Sequence, residues 1–327
     1  MRVLISGITS FLGISTGKAL LKKGHEVYGI LRPESRNKER LKGEEGIQLL
    51  SLNMESFLLW EKEKGREEES LNPASLSALH FDIVLHFAWD GVGSLGRSDI
   101  ATQEKNLRMS KAFFSWAKAQ GVRRFFFAGS QAEMGRGTRE EPLPASPYGE
   151  KKLAFSEYGL KNHGDMEFID LRIYSIYGKG DHERSLVKTL VRNTLRGTET
   201  ELGSGNKIWN FMAEEDFARA LAFLVELDFQ KRGAFTIDIC SRESRLLSDY
   251  IKEIEQIGFS FLKKKGIEHS KESLLRFGLR PPNVEGDYDF TAHTKELSAL
   301  GFEEQISFSS GIEELYEFIY ETECNKV

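Results

Sequence analysis

Short apolar runs bounded by turn residues recur through the first half of the chain, at residues 3–6, 26–31, 47–52, 83–87, 124–128 and 168–173. Between them lie longer stretches, such as 15–23 and 102–119, whose apolar residues repeat at helical spacing. The alternation predicts βαβ units around a parallel sheet, a doubly wound α/β fold. Past Ile173 the pattern loosens, with glycines at 178, 180, 203 and 205, before another strand-like run at 234–240. The expected division is a main domain over 1–173, to which 234–240 returns, and a smaller α/β lobe made mainly of 174–233 and 241–327. No Gly/Ser or Pro linker separates the two, so a shared interface with a ligand cleft is expected. Residues 61–70 are almost wholly charged and read as a solvated helix end or surface loop.

Composition narrows the function classes. Across 327 residues, 45 Lys and Arg stand against 50 Asp and Glu, a net charge of −5 with no dense basic block. Nothing there tracks a nucleic-acid backbone, while small anionic ligands remain open. The cysteines, Cys240 and Cys324, form no Cys-x-x-Cys, and the histidines are not clustered, so no metal site is expected. That usage fits a reducing compartment, with the cytoplasm as the expected location. The opening run Val3-Leu4-Ile5 is too short for a signal peptide or a membrane span, and neither export nor membrane embedding is expected.

The segment Val3-Leu4-Ile5-Ser6-Gly7-Ile8-Thr9-Ser10-Phe11-Leu12-Gly13 is a strand running into a small-residue turn that opens a helix. Such a junction aims unpaired backbone N–H groups and the positive helix end at an anion, and a pyrophosphate approaches the backbone only where residues are small. Here the chain resembles the extended short-chain dehydrogenases, whose turn reads Gly-x-x-Gly-x-x-Gly. Gly7 and Gly13 hold the outer positions and Ser10 replaces the middle glycine. The resemblance implies a Rossmann-like fold and a nicotinamide dinucleotide held by Gly7, Ser10, Phe11, Leu12 and Gly13. The second strand ends Gly29-Ile30-Leu31-Arg32, with Leu31 where a carboxylate would accept from the ribose hydroxyls of NAD. A guanidinium at Arg32 suits a 2′-phosphate, with Ser35 and Arg36 nearby, so the pattern favours NADP, with NAD the alternative. Asn53, beside Met54, matches the family's adenine-contacting acidic position. Phe87 and Ala88 match its lining of the nicotinamide-side ribose, and His86 reads as a packed strand residue.

Reducing a ketone requires a proton donor at the oxygen whose carbon receives hydride, and a phenol serves when a nearby ammonium lowers its pKa. In Ser146-Pro147-Tyr148-Gly149-Glu150-Lys151-Lys152, Tyr148 and Lys152 are four apart and share a helix face, with Pro147 at the helix start. The fifth strand ends Ala128-Gly129-Ser130, delivering a serine that would hold the substrate oxygen. The order Ser-x-x-x-x-Gly, then Pro-x-Ser-x-Tyr-Gly-x-x-Lys, resembles the extended short-chain dehydrogenases acting on nucleotide sugars. The resemblance runs nearly end to end. It implies catalysis by Tyr148, Lys152 and Ser130, with Asn106 supporting the active-site proton path.

Downstream, Arg172-Ile173-Tyr174-Ser175-Ile176-Tyr177-Gly178-Lys179-Gly180-Asp181 resembles the family's Arg-x-x-Asn-x-Tyr-Gly-Pro-Gly-Asp, with Ser175 in place of the sugar-nucleotide asparagine. Trp209 stands where a phosphate-binding arginine is usual, leaving Lys207 and Arg280 to neutralise the diphosphate. Gln131 lines the substrate side with Ser130. The dehydratase branch needs an acid and a base at 131 and 132, where this chain has Gln131 and Ala132, with Glu133 one step out of register. A second epimerase/reductase branch carries a cysteine acid where Ala132 stands, and His182 reads as a loop residue. These readings predict an NADPH-dependent 4-keto-6-deoxy-sugar reductase on a nucleoside-diphospho-sugar, serving cell-surface polysaccharide precursors. The alternatives are a 4-epimerase with tightly held NAD and a catalytically silent cofactor-sensing or scaffold protein. The family resemblance also implies a homodimer through helices over 102–119 and 148–162.

Overall fold

The computed structural model describes residues 1–60, 73–229, 232–268, 272–282 and 284–324; the charged stretch 61–70 lies outside them. The chain forms two compact units, Met1–Ile173 with Ala218–Ile239, and Tyr174–Phe217 with Cys240–Val327.

The first unit is built on strands β1 (Arg2–Ser6), β2 (Glu26–Leu31), β3 (Ile47–Ser51), β4 (Ile83–His86), β5 (Arg124–Ala128) and β6 (Glu167–Ile173). With the Ala234–Ile239 strand they form one seven-stranded sheet in the order β3-β2-β1-β4-β5-β6-(234–239). Every pairing in it is parallel. β4, β5 and β6 are buried along their whole length, which explains the unbroken apolar runs Ile83-Val84-Leu85 and Phe125-Phe126-Phe127, while β6 buries Glu167, Asp170 and Arg172 among its apolar residues. The order reverses between β1 and β4, the place where open α/β sheets bind ligands at their strand ends.

Helices α1 (Phe11–Lys22), α2 (Pro73–Leu76), α3 (Ile100–Ala119) and α4 (Pro147–Asn162) connect these strands. α1 and α3 begin earlier than their apolar spacing suggests, because capping residues set their starts. Ser10 Oγ accepts from Gly13 N, and Asp99 accepts from the amides of Ala101 and Thr102. Phe113, Phe114, Trp116, Phe125, Phe127, Phe155 and Phe168 form the aromatic centre of the core between α3, α4 and the sheet. At the far ends of β5 and β6, the fully buried Arg124 pairs with Glu167 at 2.6 Å.

The division of the chain differs from the sequence reading at residues 218–233, which group with the first unit. Helix α6 (Glu214–Glu226) follows α5 (Leu186–Arg196) in sequence, and the carbonyls of Leu224, Val225 and Leu227 at its end accept from Arg124 Nη1. Those bonds tie the helix end to β5. Orphan C-terminal carbonyls find a donor in a buried guanidinium there, a pairing no periodicity announces.

In the second unit α5 packs with α7 (Leu247–Lys264) and α9 (Phe308–Ile319), and α8 (Glu296–Ala299) is a single turn. Its core gathers Tyr177, Phe211, Tyr250, Phe308 and Tyr316. Short ladders pair Ser175–Tyr177 with Phe211–Ala213, Ile208–Trp209 with Arg245–Leu246, and Thr200–Glu201 with Leu275–Arg276.

Candidate active site

At the β1–α1 junction Gly7 has φ +73°, and a Cβ there would lie 2.7 Å from Ala88 N. A side chain at Gly13 would run into the Gly7 carbonyl. Both positions therefore require glycine, for conformation at Gly7 and for close approach at Gly13. Ser10 Oγ takes the Gly13 amide at 3.0 Å. The amides of Phe11 and Leu12 in the first turn of α1 have no intrahelical acceptor and keep the positive helix end available to an anion. Ser10 still has its hydroxyl proton to donate. The cradle that a Cβ would fill, and these donors, fit a dinucleotide pyrophosphate.

The floor of this groove is fixed from below. Ser6 Oγ bonds His86 Nδ1 at 2.6 Å and accepts from Ala88 N at 3.3 Å, and His86 Nε2 bonds Ser110 Oγ at 2.8 Å. Burial, with Lys152 nearby, pushes His86 down to about 3. His86 is thus a neutral brace that places Phe87 and Ala88, in keeping with its reading as a packed residue.

Arg32 is exposed at the end of β2, and its Nη1 lies 3.3 Å from Asp90 Oδ2. Both partners are more than half exposed, so the pair is weak. Ser35 Oγ lies 3.4 Å from Thr9 Oγ1, and the Arg36 side chain falls outside the described atoms. Asn53 is exposed at the head of the turn Met54–Leu58, while Met54 is packed in the core. Asn106 has its amide occupied: it accepts from Asp90 N at 3.1 Å and donates to Asp90 O at 2.8 Å. Gln103 Oε1 accepts from Trp89 Nε1 at 2.7 Å. The two side chains of α3 brace the Trp89–Asp90 backbone.

α4 carries the Tyr148–Lys152 pair. Ser146 caps it through Gly149 N and Pro147 occupies its first turn, which places Tyr148 and Lys152 on the buried face. Gly149 lies against the Ala132 carbonyl, too close for a side chain, so α4 seats directly on the turn Gln131–Glu133 that follows Ser130. Lys152 Nζ donates to Ala128 O at 2.6 Å and sits 4.0 Å from the Trp89 ring centroid and 5.7 Å from that of Tyr148. Burial lowers Lys152 to about 7. Its ammonium is therefore lost as the pH rises through that value. Ser130 Oγ accepts from Ala132 N at 3.2 Å, and Gln131 Oε1 is buried without a hydrogen-bond partner.

The structure adds Arg97, absent from the sequence reading, whose guanidinium lies 4.6 Å from the Tyr148 ring centroid. It projects from a glycine-rich loop, and one arginine in such a loop has no pattern to betray it.

In the second unit Ser175 is half-buried at the start of its strand, in register with Phe211. Lys207 Nζ donates to Gly286 O at 3.2 Å, lies 4.0 Å from Asp287 Oδ1 and 4.8 Å from the Trp209 ring, and burial lowers its pKa. Trp209 packs edge-on against Phe290 with centroids 5.3 Å apart. Arg280 is exposed, its backbone amide bonded to Leu202 O at 3.0 Å beside Gly203. His182 is an exposed loop residue whose Nδ1 accepts from Arg184 N at 3.1 Å.

A parallel sheet with a glycine cradle at its switch point, and a Tyr–Lys pair beside a strand-end serine, together define a dinucleotide-dependent Rossmann-type enzyme. The sequence matches the NAD dependent epimerase/dehydratase family over residues 3–238, and the chain belongs to that family. It is 22% identical over 291 residues to the CDP-abequose synthase of Yersinia pseudotuberculosis, covering 84% of this chain and 91% of that one. In fold it is similar to the UDP-glucose 4-epimerase of Thermotoga maritima, at TM-score 0.76 and 19% identity over 98% of this chain and 99% of the other. It is likewise similar to the UDP-glucuronic acid 4-epimerase of Bacillus cereus in complex with NAD, at TM-score 0.74 and 20% identity over 100% and 99%. Among the described residues no helix is long and apolar enough to cross a membrane.

Proposed function

We propose that this enzyme reduces a ketone at C4 of a nucleoside-diphospho-sugar with NADPH. The observation that carries the reading is the buried Tyr148–Lys152 pair, seated through Gly149 on the turn that follows Ser130. When bound, the dinucleotide supplies hydride to the carbonyl carbon. Tyr148 gives its phenolic proton to the carbonyl oxygen, Ser130 hydrogen-bonds that oxygen, and the Lys152 ammonium stabilises the phenolate left behind. Gln131 Oε1 accepts from a sugar hydroxyl. The 2′-phosphate falls to Arg32, since Leu31 offers no carboxylate to ribose hydroxyls. That the Yersinia relative is named for a CDP-linked sugar supports a nucleotide sugar as substrate.

Arg32→Ala is expected to weaken NADPH roughly tenfold while leaving NADH nearly unchanged, because one exposed charge-assisted contact is lost. Titrating each reduced cofactor by its fluorescence checks this, and equal losses for both would make Arg32 a bystander. A second reading, a 4-epimerase with tightly held NAD, is favoured by one observation. Asp90 faces Arg32 and offers ribose hydroxyls the acceptor that Leu31 lacks. The nucleotide released when the purified protein is denatured decides between them: bound NAD favours the epimerase, and an empty or NADP-loaded site favours the reductase.

The proposal extends to a homodimer through α3 and α4, which pack side by side in the first unit. The expected mass in solution at micromolar concentration is twice that of the chain, and a monomeric mass would remove the dimer.

A further inference from the structure

Behind Ser130 and Lys152 lies a cluster of charge that the proposed reaction does not use. Glu133 follows β5, Asp170 and Arg172 lie on β6, and Asp238 lies on the 234–239 strand; the three carboxylates are fully buried and Arg172 and Lys152 nearly so. Glu133 Oε1 accepts from Ser130 N at 2.8 Å. Asp170 Oδ2 accepts from Ser156 Oγ at 2.7 Å and from Thr236 Oγ1 at 3.3 Å. Arg172 Nε lies 3.5 Å from Glu133 Oε2, and its Nη1 lies 3.9 Å from Asp238 Oδ1. Gly129 separates the acids from the Ala128 carbonyl that holds Lys152, and a Cβ there would run into both Asp170 and Glu133.

Two features of this cluster require a proton. Glu133 and Asp170 crowd their carboxyl groups around Gly129, where an added Cβ would meet both Glu133 Oε1 and Asp170 Oδ1, yet ionised carboxylates only accept hydrogen bonds and repel one another. Glu133 Oε2 and Asp170 Oδ1 are buried with no hydrogen-bond donor otherwise in place. The second feature is charge. Three acids against Arg172 and Lys152 would leave one net negative charge sealed from water, which is far more costly than neutralising one carboxyl. One proton satisfies both requirements. We infer that Glu133 and Asp170 share a single proton, and that this acid pair keeps Lys152 cationic beside Tyr148. Burial and the neighbouring Asp170 push Glu133 well above the usual carboxylate range, and burial raises Asp170 as well, so the proton belongs to the pair. The other groups facing the cluster fit this balance. His86 on β4 is neutral, Arg139 donates to the Thr236 carbonyl at 2.6 Å, and Arg97 stands over Tyr148, where it disfavours charge on Lys152.

The role of Lys152 rests on the proposed reaction; the shared proton does not. If one proton serves two acids, Glu133→Gln leaves Asp170 ionised, and in Asp170→Asn the proton leaves Glu133. Each single variant keeps the cluster neutral with Lys152 charged. The double variant carries an excess positive charge that Lys152 relieves by losing its proton, so the two substitutions are coupled.

Infrared spectroscopy of the whole protein near pH 7 tests the proton without any substrate. The wild type is expected to show the C=O stretch of a protonated carboxyl that vanishes in each single variant. The pH dependence of turnover tests the coupling. Its alkaline limb is expected to stay near the wild-type position in both single variants and to move about one unit or more towards acid pH in the double variant. Absence of the carboxyl band in the wild type, or its persistence in both single variants, overturns the shared proton even if the double variant does not fold. An unmoved alkaline limb in a folded double variant overturns the link to Lys152. Loss of the proposed sugar-nucleotide activity leaves the infrared result standing, so the two readings fail separately.

Discussion

Tyr148→Phe is expected to lower turnover roughly a hundred- to ten-thousand-fold, the usual contribution of a positioned proton donor, with fold and cofactor affinity kept. The ring makes the structural contacts at this position: it meets Trp89 edge-on with centroids 6.5 Å apart and lies beneath the Arg97 guanidinium. Phenylalanine preserves both. What disappears is the only phenol on the buried face of α4 that shares the neighbourhood of Lys152, so the alkoxide that the proposed reaction would develop has no proton to take. The loss belongs in kcat and in kcat/KM together, because the proton moves only in the transition state. Fluorescence titration of NADPH with the same preparation should match the wild type. Near-normal turnover would remove Tyr148 from the chemistry and with it the proposed mechanism.

The fold was readable because the central strands of its sheet are buried on both faces. Runs such as Val3-Leu4-Ile5 and Phe125-Phe126-Phe127 have no polar interruption to blur them, and each is bounded by a turn residue or a cap. The glycine cradle and the Tyr148–Lys152 spacing were legible for a related reason. Both depend on neighbours close in sequence, where backbone geometry fixes which groups meet. Arg97, Asp90 and the acids at 133, 170 and 238 could not be read this way. Their partners lie on other strands and loops, and a charged residue within a strand looks like an exposed edge position until the sheet order is known. Glu133 did stand out in sequence, but only as an acid in the wrong register for a dehydratase. The structure gives it a partner on β6 and a hydrogen bond to the Ser130 backbone instead. The end of α6 shows the same limit, since its carbonyls find Arg124 about a hundred residues earlier in the chain.

Arg280→Ala is expected to raise KM for the nucleotide sugar roughly ten- to a hundredfold, the span of one hydrogen-bonded charge contact, with little change in cofactor affinity. The argument begins at Trp209, which packs against Phe290 where a phosphate-binding arginine is usual in proteins this chain resembles. Two phosphate charges leaving water still need cationic donors. Lys207 is half committed, through its bond to the Gly286 carbonyl and its nearness to Asp287, and burial already disfavours its charge. Arg245 stands opposite Trp209 in the short ladder, but its guanidinium is held by Glu253 at 2.6 Å. Arg280 differs from both. It is exposed beside the Gly203 turn, its backbone is anchored to Leu202, and its guanidinium makes no ion pair among the described residues. A planar fork in that state can take a diphosphate in two parallel hydrogen bonds without first breaking an internal one. Initial rates against sugar-nucleotide concentration at saturating NADPH give KM directly, and Lys207→Ala in the same assay should show the smaller increase. An unchanged KM in Arg280→Ala, or equal activity on the free keto-sugar, would remove both the contact and the nucleotide-sugar assignment.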